Sequence, residues 1–149
     1  AVFLGEFEHT MDAKGRVSLP KDFRNALAGK LIITKGLENC LYVYPQEQYK
    51  ESLGAYLRGG GPGGDFDPSF RKVRRFFASG AVETELDSAG RVRLTSVLRD
   101  HAGLRKEVTI IGNDERIELW ASAAWAAYQD DVTSNIEESA AELVDKGLL

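Results

Sequence analysis

The chain has 149 residues, of which 43% are hydrophobic and 28% charged, and its net charge is −4. These values are typical of one ordinary globular domain or two very small ones, and they exclude a chain that is disordered throughout. The longest apolar runs, Leu31 to Ile33 and Leu41 to Tyr44, are too short to span a membrane, and no charged-then-apolar leader indicates secretion.

The chain opens with a predicted strand over residues 3–10, followed by a tight reversal at the sequence D-A-K-G-R. In this turn we expect the Asp12 side chain to accept backbone N–H groups and Gly15 to adopt a positive φ. Apolar side chains then alternate with polar ones over residues 16–19, which predicts a strand with one buried face.

Pro20 fits the first turn of a short helix that ends at Gly29. Two further strands are predicted over residues 31–35 and 41–44, with turn residues between them. A longer helix opens at Pro45 and runs to about residue 58.

A glycine-rich segment, GGGPGG at residues 59–64, separates the two halves. It formally matches G-x-G-x-x-G through Gly59, Gly61 and Gly64, but a helix precedes it where a dinucleotide site needs a strand, so we interpret it as a linker. The next predicted helix, from Pro68 to about Ser79, contains the basic run FRKVRRFF. Its four bases form either a solvated face or a face for phosphates or another subunit.

The chain repeats itself at an offset of 75 residues. DAKGRVSLPKDFR at 12–24 and DSAGRVRLTSVLR at 87–99 share six of thirteen positions. After one inserted residue, Gly36 aligns with Gly112, and the strand at 41–44 aligns with the segment at 117–120. Order, spacing and residue character are kept over about 37 positions, so we interpret the repeat as a duplication.

The second half repeats the first one's elements. It contains a strand at 81–86, a turn with Asp87 and Gly90, and a short helix from Thr95 or Ser96 to Gly103. Strands at 107–111 and 116–120 follow, then a helix that Ser122 could cap and a last helix with a capping box formed by Ser134 and Glu137.

Each half is therefore predicted to be a β-hairpin, a short helix, another β-hairpin and a helix, in an α+β fold. About 75 residues in this arrangement form only a marginal core, so we expect the halves to pack together as a pseudo-dimer. The predicted boundaries are 1–58 for the first repeat and its helix, 59–67 for the linker, and 68–149 for the rest.

Charge is unevenly distributed. Residues 129–149 hold six acids and one base, so residues 1–128 hold 18 bases and 17 acids. The acidic total therefore does not exclude a nucleic-acid partner.

Few residues suggest catalysis or metal binding. Asp12 and Asp87 could be paired carboxylates of a hydrolase, but turn caps beside glycine explain them more simply. His9, His101 and Cys40 have no zinc-site spacing, so we predict no metal, and a lone cysteine in an apolar run is typical of a buried thiol in a reduced compartment.

Arg16 and Arg91 recur in both copies although the turn itself does not require arginine. One interpretation is an Asp–Arg ion pair that stiffens each hairpin. The other is a pair of symmetric arginines that contact DNA phosphates or guanine edges. In that second interpretation the basic residues that flank them also contact DNA, namely Lys14, Lys21, Arg24, Arg93 and Arg99.

The repeated D-x-x-G-R-V-x-L-P resembles the signature of the AbrB-like swapped-hairpin DNA-binding superfamily. Two copies in one chain, opened by FLGEFEHTMDAKGRVSLP, are similar to the bacterial MraZ family over almost the whole length. The second copy departs by carrying Thr95 where the first has Pro20, and threonine can also cap a helix.

The resemblance implies duplicated AbrB-like units that form a pseudo-dimeric double-split β-barrel with flanking helices. It also implies a cytoplasmic, nucleoid-associated regulator, usually a repressor of the division and cell-wall gene cluster. Such a regulator binds tandem promoter repeats in double-stranded DNA as a ring of about 8 to 12 subunits. Asp12/Arg16 and Asp87/Arg91 match the family's motif pairs, with Lys14 and Arg93 beside them. The resemblance implies no enzymatic activity, no cofactor and no membrane partner.

Two other functions remain open. An antitoxin-like module would use the same fold but mainly neutralise a protein partner through its C-terminal helices. A small hydrolase using Asp12 and Asp87 would need a cleft with perturbed carboxyl groups.

Overall fold

The two halves of the chain carry the same order of strands in this computed structural model, which describes residues 2–59 and 63–149. The first half contains β1 (Phe3–Thr10), β2 (Arg16–Ser18), α1 (Lys21–Arg24), β3 (Lys30–Lys35), β4 (Leu41–Pro45), α2 (Gln46–Glu51) and α3 (Leu53–Gly59). The second contains α4 (Pro68–Gly80), β5 (Val82–Glu85), β6 (Arg91–Arg93), α5 (Ser96–Ala102), β7 (Glu107–Asp114), β8 (Arg116–Ala121), α6 (Ser122–Ser134) and α7 (Ile136–Asp145). Residues 60–62 of the predicted linker lie outside the described residues.

The strands form two antiparallel sheets. A six-stranded sheet has the order β1-β7-β8-β4-β3-β5, and β2 pairs with β6 in a separate two-stranded ribbon. Because β1 and β5 lie at opposite edges of the larger sheet, the strands of residues 2–59 and 63–149 close no barrel, and the expected double-split β-barrel is wrong in this respect. The fold is therefore mixed α and β, with an open antiparallel sheet and flanking helices.

The predicted first hairpin of each half is only partly correct. The chain does reverse at Asp12, but β1 and β2 share a single bridge, between Met11 and Val17. The two strands instead pair with the other half, β1 with β7 and β2 with β6. Leu19 N–H donates to Gly90 O at 3.0 Å, and Leu94 N–H donates to Gly15 O at 2.9 Å, which extends the ribbon at both ends.

The strand pairing is symmetric between the two halves. Exchanging the halves maps β2 onto β6, β4 onto β8 and the β1–β7 pair onto the β5–β3 pair. At the centre of the ribbon Val17 lies opposite Val92. The register also corrects one aligned position: Lys35 lies opposite Leu41 and Gly112 opposite Ile117, so Lys35, rather than Gly36, is the counterpart of Gly112.

Both halves contribute to one hydrophobic core, as the small size of each half predicts. Its fully buried members include Val17, Leu19, Leu27, Leu31 and Ile33 from the first half, and Val92, Leu98, Val108, Ile110 and Leu119 from the second. A second cluster lies beneath α3 and α4 and contains Cys40, Tyr42, Tyr44, Leu57, Phe77 and Trp120. Cys40 is a buried free thiol, as predicted, and its burial raises the pKa of the thiol.

The helices differ from the predictions at four places. The first short helix was predicted to end at Gly29, but α1 has four residues and ends at Arg24. The helix after Pro45 breaks at Ser52, whose backbone N–H bonds Gln48 O while its φ and ψ leave the helical region. The predicted capping box at Ser134 is wrong because α6 runs through that residue and α7 follows Asn135, which forms no capping side-chain bond to α7. Ser122 is the first residue of α6 rather than its cap, and its Oγ accepts a bond from Thr109.

Gly112 lies against the backbone of β1, so we expect Gly112→Ala to weaken the pairing between the halves. The added carbon would lie 2.6 Å from the carbonyl carbon of Phe3 and would also meet the backbone of Leu4. A paired strand cannot easily move aside, so the free energy of unfolding should fall by about 1–3 kcal/mol in urea denaturation. Gly59→Ala is the control, since within residues 2–59 and 63–149 no atom outside its own helix and chain neighbours lies within 4 Å of the added carbon. Equal stability of the two variants would contradict this packing.

Candidate nucleic-acid interface

The β2–β6 ribbon has one buried and one outward face. Val17 and Val92 are fully buried, whereas the alternate residues are half-buried or exposed. The outward residues form two cross-strand pairs, Arg16 opposite Arg93 and Ser18 opposite Arg91. Three arginines from two distant segments are therefore brought onto one small surface.

Asp12 holds Arg16 by two kinds of hydrogen bond. Its Oδ1 accepts the backbone N–H groups of Lys14 and Arg16, both at 2.9 Å. Its Oδ2 accepts the Arg16 Nε–H at 2.7 Å. The turn thus fixes the carboxylate, and the carboxylate then orients the guanidinium.

Asp87 repeats this geometry in the second half. Its Oδ1 accepts the backbone N–H groups of Ala89 and Arg91 at 2.9 Å, and its Oδ2 accepts Arg91 Nε–H at 2.8 Å. We call each set, Asp12 with Arg16 and Asp87 with Arg91, an Asp–Arg clamp. The ion pair that the sequence predicted is present in both copies.

The clamps leave the ends of both guanidiniums available. Each aspartate bonds the Nε, and no other side chain in the described part of the chain bonds the Nη groups of Arg16 or Arg91. The side chains of these arginines are 29% and 31% exposed. An Nη pair held in this way can donate two parallel hydrogen bonds to one acceptor group.

The electrostatics of the aspartates do not fit a general acid. The pKa of each carboxyl is lowered, first by the backbone N–H of Arg16 or Arg91 and also by the guanidinium of the same residue. Asp12 and Asp87 are therefore ionised at neutral pH, and their side chains are 35% and 37% exposed as turn caps. The cleft with perturbed carboxyl groups that a hydrolase would need does not occur at these two residues.

Gly15 and Gly90 close the turns with φ values of +77° and +76°, which favour glycine. A carbon added at Gly15 would lie 2.9 Å from Arg99 Nη1, and one added at Gly90 would meet the Arg24 guanidinium. Each arginine thus lies against the turn of the other half. Arg24 also donates its Nε–H to Leu19 O at 2.8 Å.

The predicted basic residues therefore fall into two groups. Lys14 and Arg93 are exposed beside the clamps, and Lys21 is exposed at the start of α1. Arg24 and Arg99 are half-buried, and each contacts the turn of the opposite half. Sequence reasoning missed these contacts. The signal in the sequence was that the same arginine recurs at equivalent positions of the two copies, Arg24 and Arg99. The position of a residue within its own half, however, does not indicate a contact with the other half.

The basic run on α4 lies outside the ribbon. Among the apolar side chains of this run, Phe77 is buried, while Val73 is 41% exposed. Arg74 bonds the Asp65 carboxylate and lies 5.5 Å from the Phe70 ring centroid. Between α3 and α4 lies a groove of about 500 Å³, lined mainly by tyrosines and other apolar side chains, including Tyr42, Tyr44, Leu53, Tyr56, Val73 and Phe77.

The described part of the glycine-rich segment does not have the geometry of a dinucleotide-binding loop. Gly61 lies outside the described residues, and Gly64 leads into a 3₁₀ turn rather than directly into a helix. Within 2–59 and 63–149 no three metal-ligating side chains lie together, and no helix there is long and apolar enough to cross a membrane.

Comparison with known proteins gives full-length matches. The family model described as "MraZ protein, putative antitoxin-like" matches residues 2–55 and 77–147. A transcriptional regulator MraZ from Natranaerobius thermophilus is 44% identical over 144 residues, which cover 97% of this chain and 98% of that protein. Proteins of the same name from Halothermothrix orenii and Alkaliphilus metalliredigens are 40% and 42% identical over 99% of this chain and the whole of each relative.

The lowered pKa of both aspartates predicts a pH-dependent contribution to stability. An ionised carboxylate favours the folded state above its unfolded pKa of about 3.9, and this contribution is lost as pH falls through the lower folded pKa. Asp12→Asn with Asp87→Asn keeps an oxygen for the turn but removes the charge. Urea denaturation should show the wild type to be more stable at pH 7, with the difference shrinking below about pH 4. An equal difference at both pH values would contradict the ionic clamp.

Proposed function

This chain belongs to the MraZ family, and on that premise we propose that it is a DNA-binding transcriptional regulator whose β2–β6 ribbon enters the major groove. Relatives similar to it over their full length are named transcriptional regulators. The observation that carries the proposal is the pair of Asp–Arg clamps on the outward face of one ribbon. We propose no enzymatic activity for these residues.

A two-stranded antiparallel ribbon fits the major groove of B-form DNA. Arginine reads guanine there by donating two hydrogen bonds to O6 and N7, and the free Nη groups of Arg16 and Arg91 are suited to this contact. Lys14, Lys21 and Arg93 would contact phosphates or further base edges. Arg24 and Arg99 would act as positioning residues, because each packs against the turn of the opposite half.

The proposed fold is the duplicated AbrB-like unit in pseudo-dimeric form. The exchange of β1 and β2 between the halves supports this proposal, because each strand finds its partner in the other copy. The closed double-split barrel is not part of it, since the larger sheet has two free edges in the described residues.

The resemblance to the family supports a proposal for the gene target and the location. We propose that the protein represses the division and cell-wall gene cluster by binding tandem repeats in its promoter. Such a protein acts where the chromosome lies, so we propose a cytoplasmic, nucleoid-associated location.

We further propose a ring of identical subunits, which two unlike surfaces of the chain support. The first is the α7 ridge, formed by Ile136, Leu143 and Val144, which are 53%, 40% and 57% exposed. No residue of α7 is buried, so its own chain does not cover this ridge. The helix also carries four acids, Glu137, Glu138, Glu142 and Asp145.

The second surface is the groove between α3 and α4. Its outer wall exposes Tyr56 and Val73, and α4 carries Arg71, Lys72, Arg74 and Arg75. An acidic amphipathic helix thus has an apolar, basic counterpart on the same chain. Different complementary surfaces on one subunit produce head-to-tail contacts, which close into rings when the rotation permits.

A ring also reconciles DNA binding with the net charge of −4. Each ribbon provides only a few bases, but linked ribbons bind adjacent repeats at high effective concentration. The acidic α7 would be shielded in the subunit contact and therefore would not oppose the DNA.

A second candidate is an antitoxin-like module, which the family description names. The observation that favours it is the exposed α7 ridge, which in this candidate is covered by a different protein and not by a second copy of the chain. The two candidates predict different effects of a substitution in the α7 ridge. The ring predicts that the oligomer dissociates, and the antitoxin-like module predicts that a bound partner protein is lost.

Replacing both clamp arginines should remove DNA binding. Arg16→Ala with Arg91→Ala should weaken a mobility shift of the gene's own promoter fragment by about 100-fold or more, since two bidentate contacts are lost. Sedimentation should show an unchanged assembly. Lys35→Ala with Lys50→Ala, which also removes two charges but outside the ribbon, should bind normally. Full binding by the arginine variant would refute the site.

Charges placed on the α7 ridge should dissociate the assembly. Leu143→Glu with Val144→Glu should shift sedimentation from oligomer to monomer and leave the circular dichroism unchanged, since no α7 residue is buried. The control Val97→Glu alters an exposed apolar residue of α5 and should remain assembled. An intact oligomer that loses a co-purifying protein would favour the antitoxin instead.

A further inference from the structure

We propose that Ser18, Arg93 and Lys14 set the orientation in which the ribbon of each chain lies on its DNA repeat. The proposal rests on the DNA-binding function above and names the class of site that the ribbon selects. It follows from a difference between the two halves of an otherwise symmetric ribbon.

The symmetric part of the ribbon consists of the two clamps. Arg16 and Arg91 are equivalent under the 75-residue offset, and each is held by the same three bonds to its aspartate. Val17 and Val92 lie opposite each other at the centre. A ribbon with only these features would present identical ends to DNA and would select a palindrome.

The remaining outward positions break this symmetry. Ser18 and Arg93 are equivalent under the same offset, and so are Lys14 and Ala89. None of these four side chains is buried, so the differences lie on the surface that would face DNA. The two differences, Ser18 against Arg93 and Lys14 against Ala89, therefore do not involve the core beneath the ribbon.

The strand register gathers the differences at one end. Arg93 lies opposite Arg16, and Leu94 bonds Gly15, so Arg93 and Lys14 both lie at the end where the first turn closes. Ser18 lies opposite Arg91, at the end of the second turn, which carries Ala89. We call these the Arg93 end and the Ser18 end. Among residues 12–18 and 87–93, which form the ribbon and its turns, the first end has three bases and the second has one.

The two ends therefore have different recognition chemistry. At the Arg93 end a second guanidinium beside Arg16 can bind another guanine or a phosphate. At the Ser18 end a hydroxyl can accept from or donate to any base, so it discriminates weakly. The preferred duplex should be guanine-rich where the Arg93 end lies, and reversing the protein on it should weaken binding on the order of 10-fold.

Tethered cleavage measures this orientation directly. Iron–EDTA is attached to Ala13→Cys or to Ser88→Cys, equivalent exposed positions in the two turns. The native Cys40 is fully buried and should not react. The probe is the duplex selected from a random-sequence library by the wild-type protein. We expect the two tethers to cut opposite flanks of each selected motif, one flank per tether.

The exchange variant combines Ser18→Arg, Arg93→Ser, Lys14→Ala and Ala89→Lys. It should cut the same duplex with the flanks interchanged. Arg93→Ser alone makes these two positions alike, so each tether should then cut both flanks more evenly. As a matched control, Lys50→Ala removes an exposed base outside the proposed interface and should keep the wild-type pattern.

The outcomes separate this proposal from the function on which it rests. Equal cutting of both flanks by each wild-type tether, or wild-type flanks in the folded exchange variant, would overturn the orientation while DNA binding stands. If the wild-type protein selects no duplex, the DNA-binding function fails and the orientation fails with it.

Discussion

The pairing of β2 with β6 is the constraint on which the rest of the molecule depends. Each of these strands has only three residues and a single buried valine, so neither could persist beside its own hairpin neighbour alone. Pairing across the halves buries Val17 against Val92 and brings the backbones of Gly15 and Gly90 into the ribbon. The same exchange places β1 against β7 and merges two marginal cores into one. The surface that we assign to DNA therefore exists only when both halves are folded.

The clamps are the part of this scaffold that we propose for DNA recognition. A free arginine side chain loses considerable rotamer entropy when it binds a base. Here Asp12 and Asp87 are themselves fixed by backbone N–H groups, and they hold Nε while the Nη groups remain available. In the proposed complex, part of this ordering would therefore be complete before the arginines meet DNA. Arg24 and Arg99 extend the same principle, since each lies against the turn of the opposite half.

Much of this arrangement could be predicted from the sequence. The 75-residue repeat located both turns, and alternation along residues 16–19 separated the buried valine from the outward arginine. Strand partners could not be predicted, because D-x-x-G-R reverses the chain equally well in a local hairpin and in an exchanged one. The capping patterns in the sequence also predicted neither the break at Ser52, whose hydroxyl bonds Gln48 O, nor the start of α7 after Asn135, which has no side-chain cap. The contacts of Arg24 and Arg99 join residues whose proximity follows only from the exchange.

Guanine N7 methylation interference tests the central claim most directly. The promoter duplex is methylated sparsely with dimethyl sulfate, incubated with the wild-type protein, and separated into bound and free fractions before cleavage at the modified bases. If the Nη groups of Arg16 and Arg91 donate to guanine in the major groove, N7-methylated guanines within the site will be depleted from the bound fraction. Methylation of adenine N3 in the minor groove will have little effect. Bound and free fractions with the same guanine pattern would contradict the account.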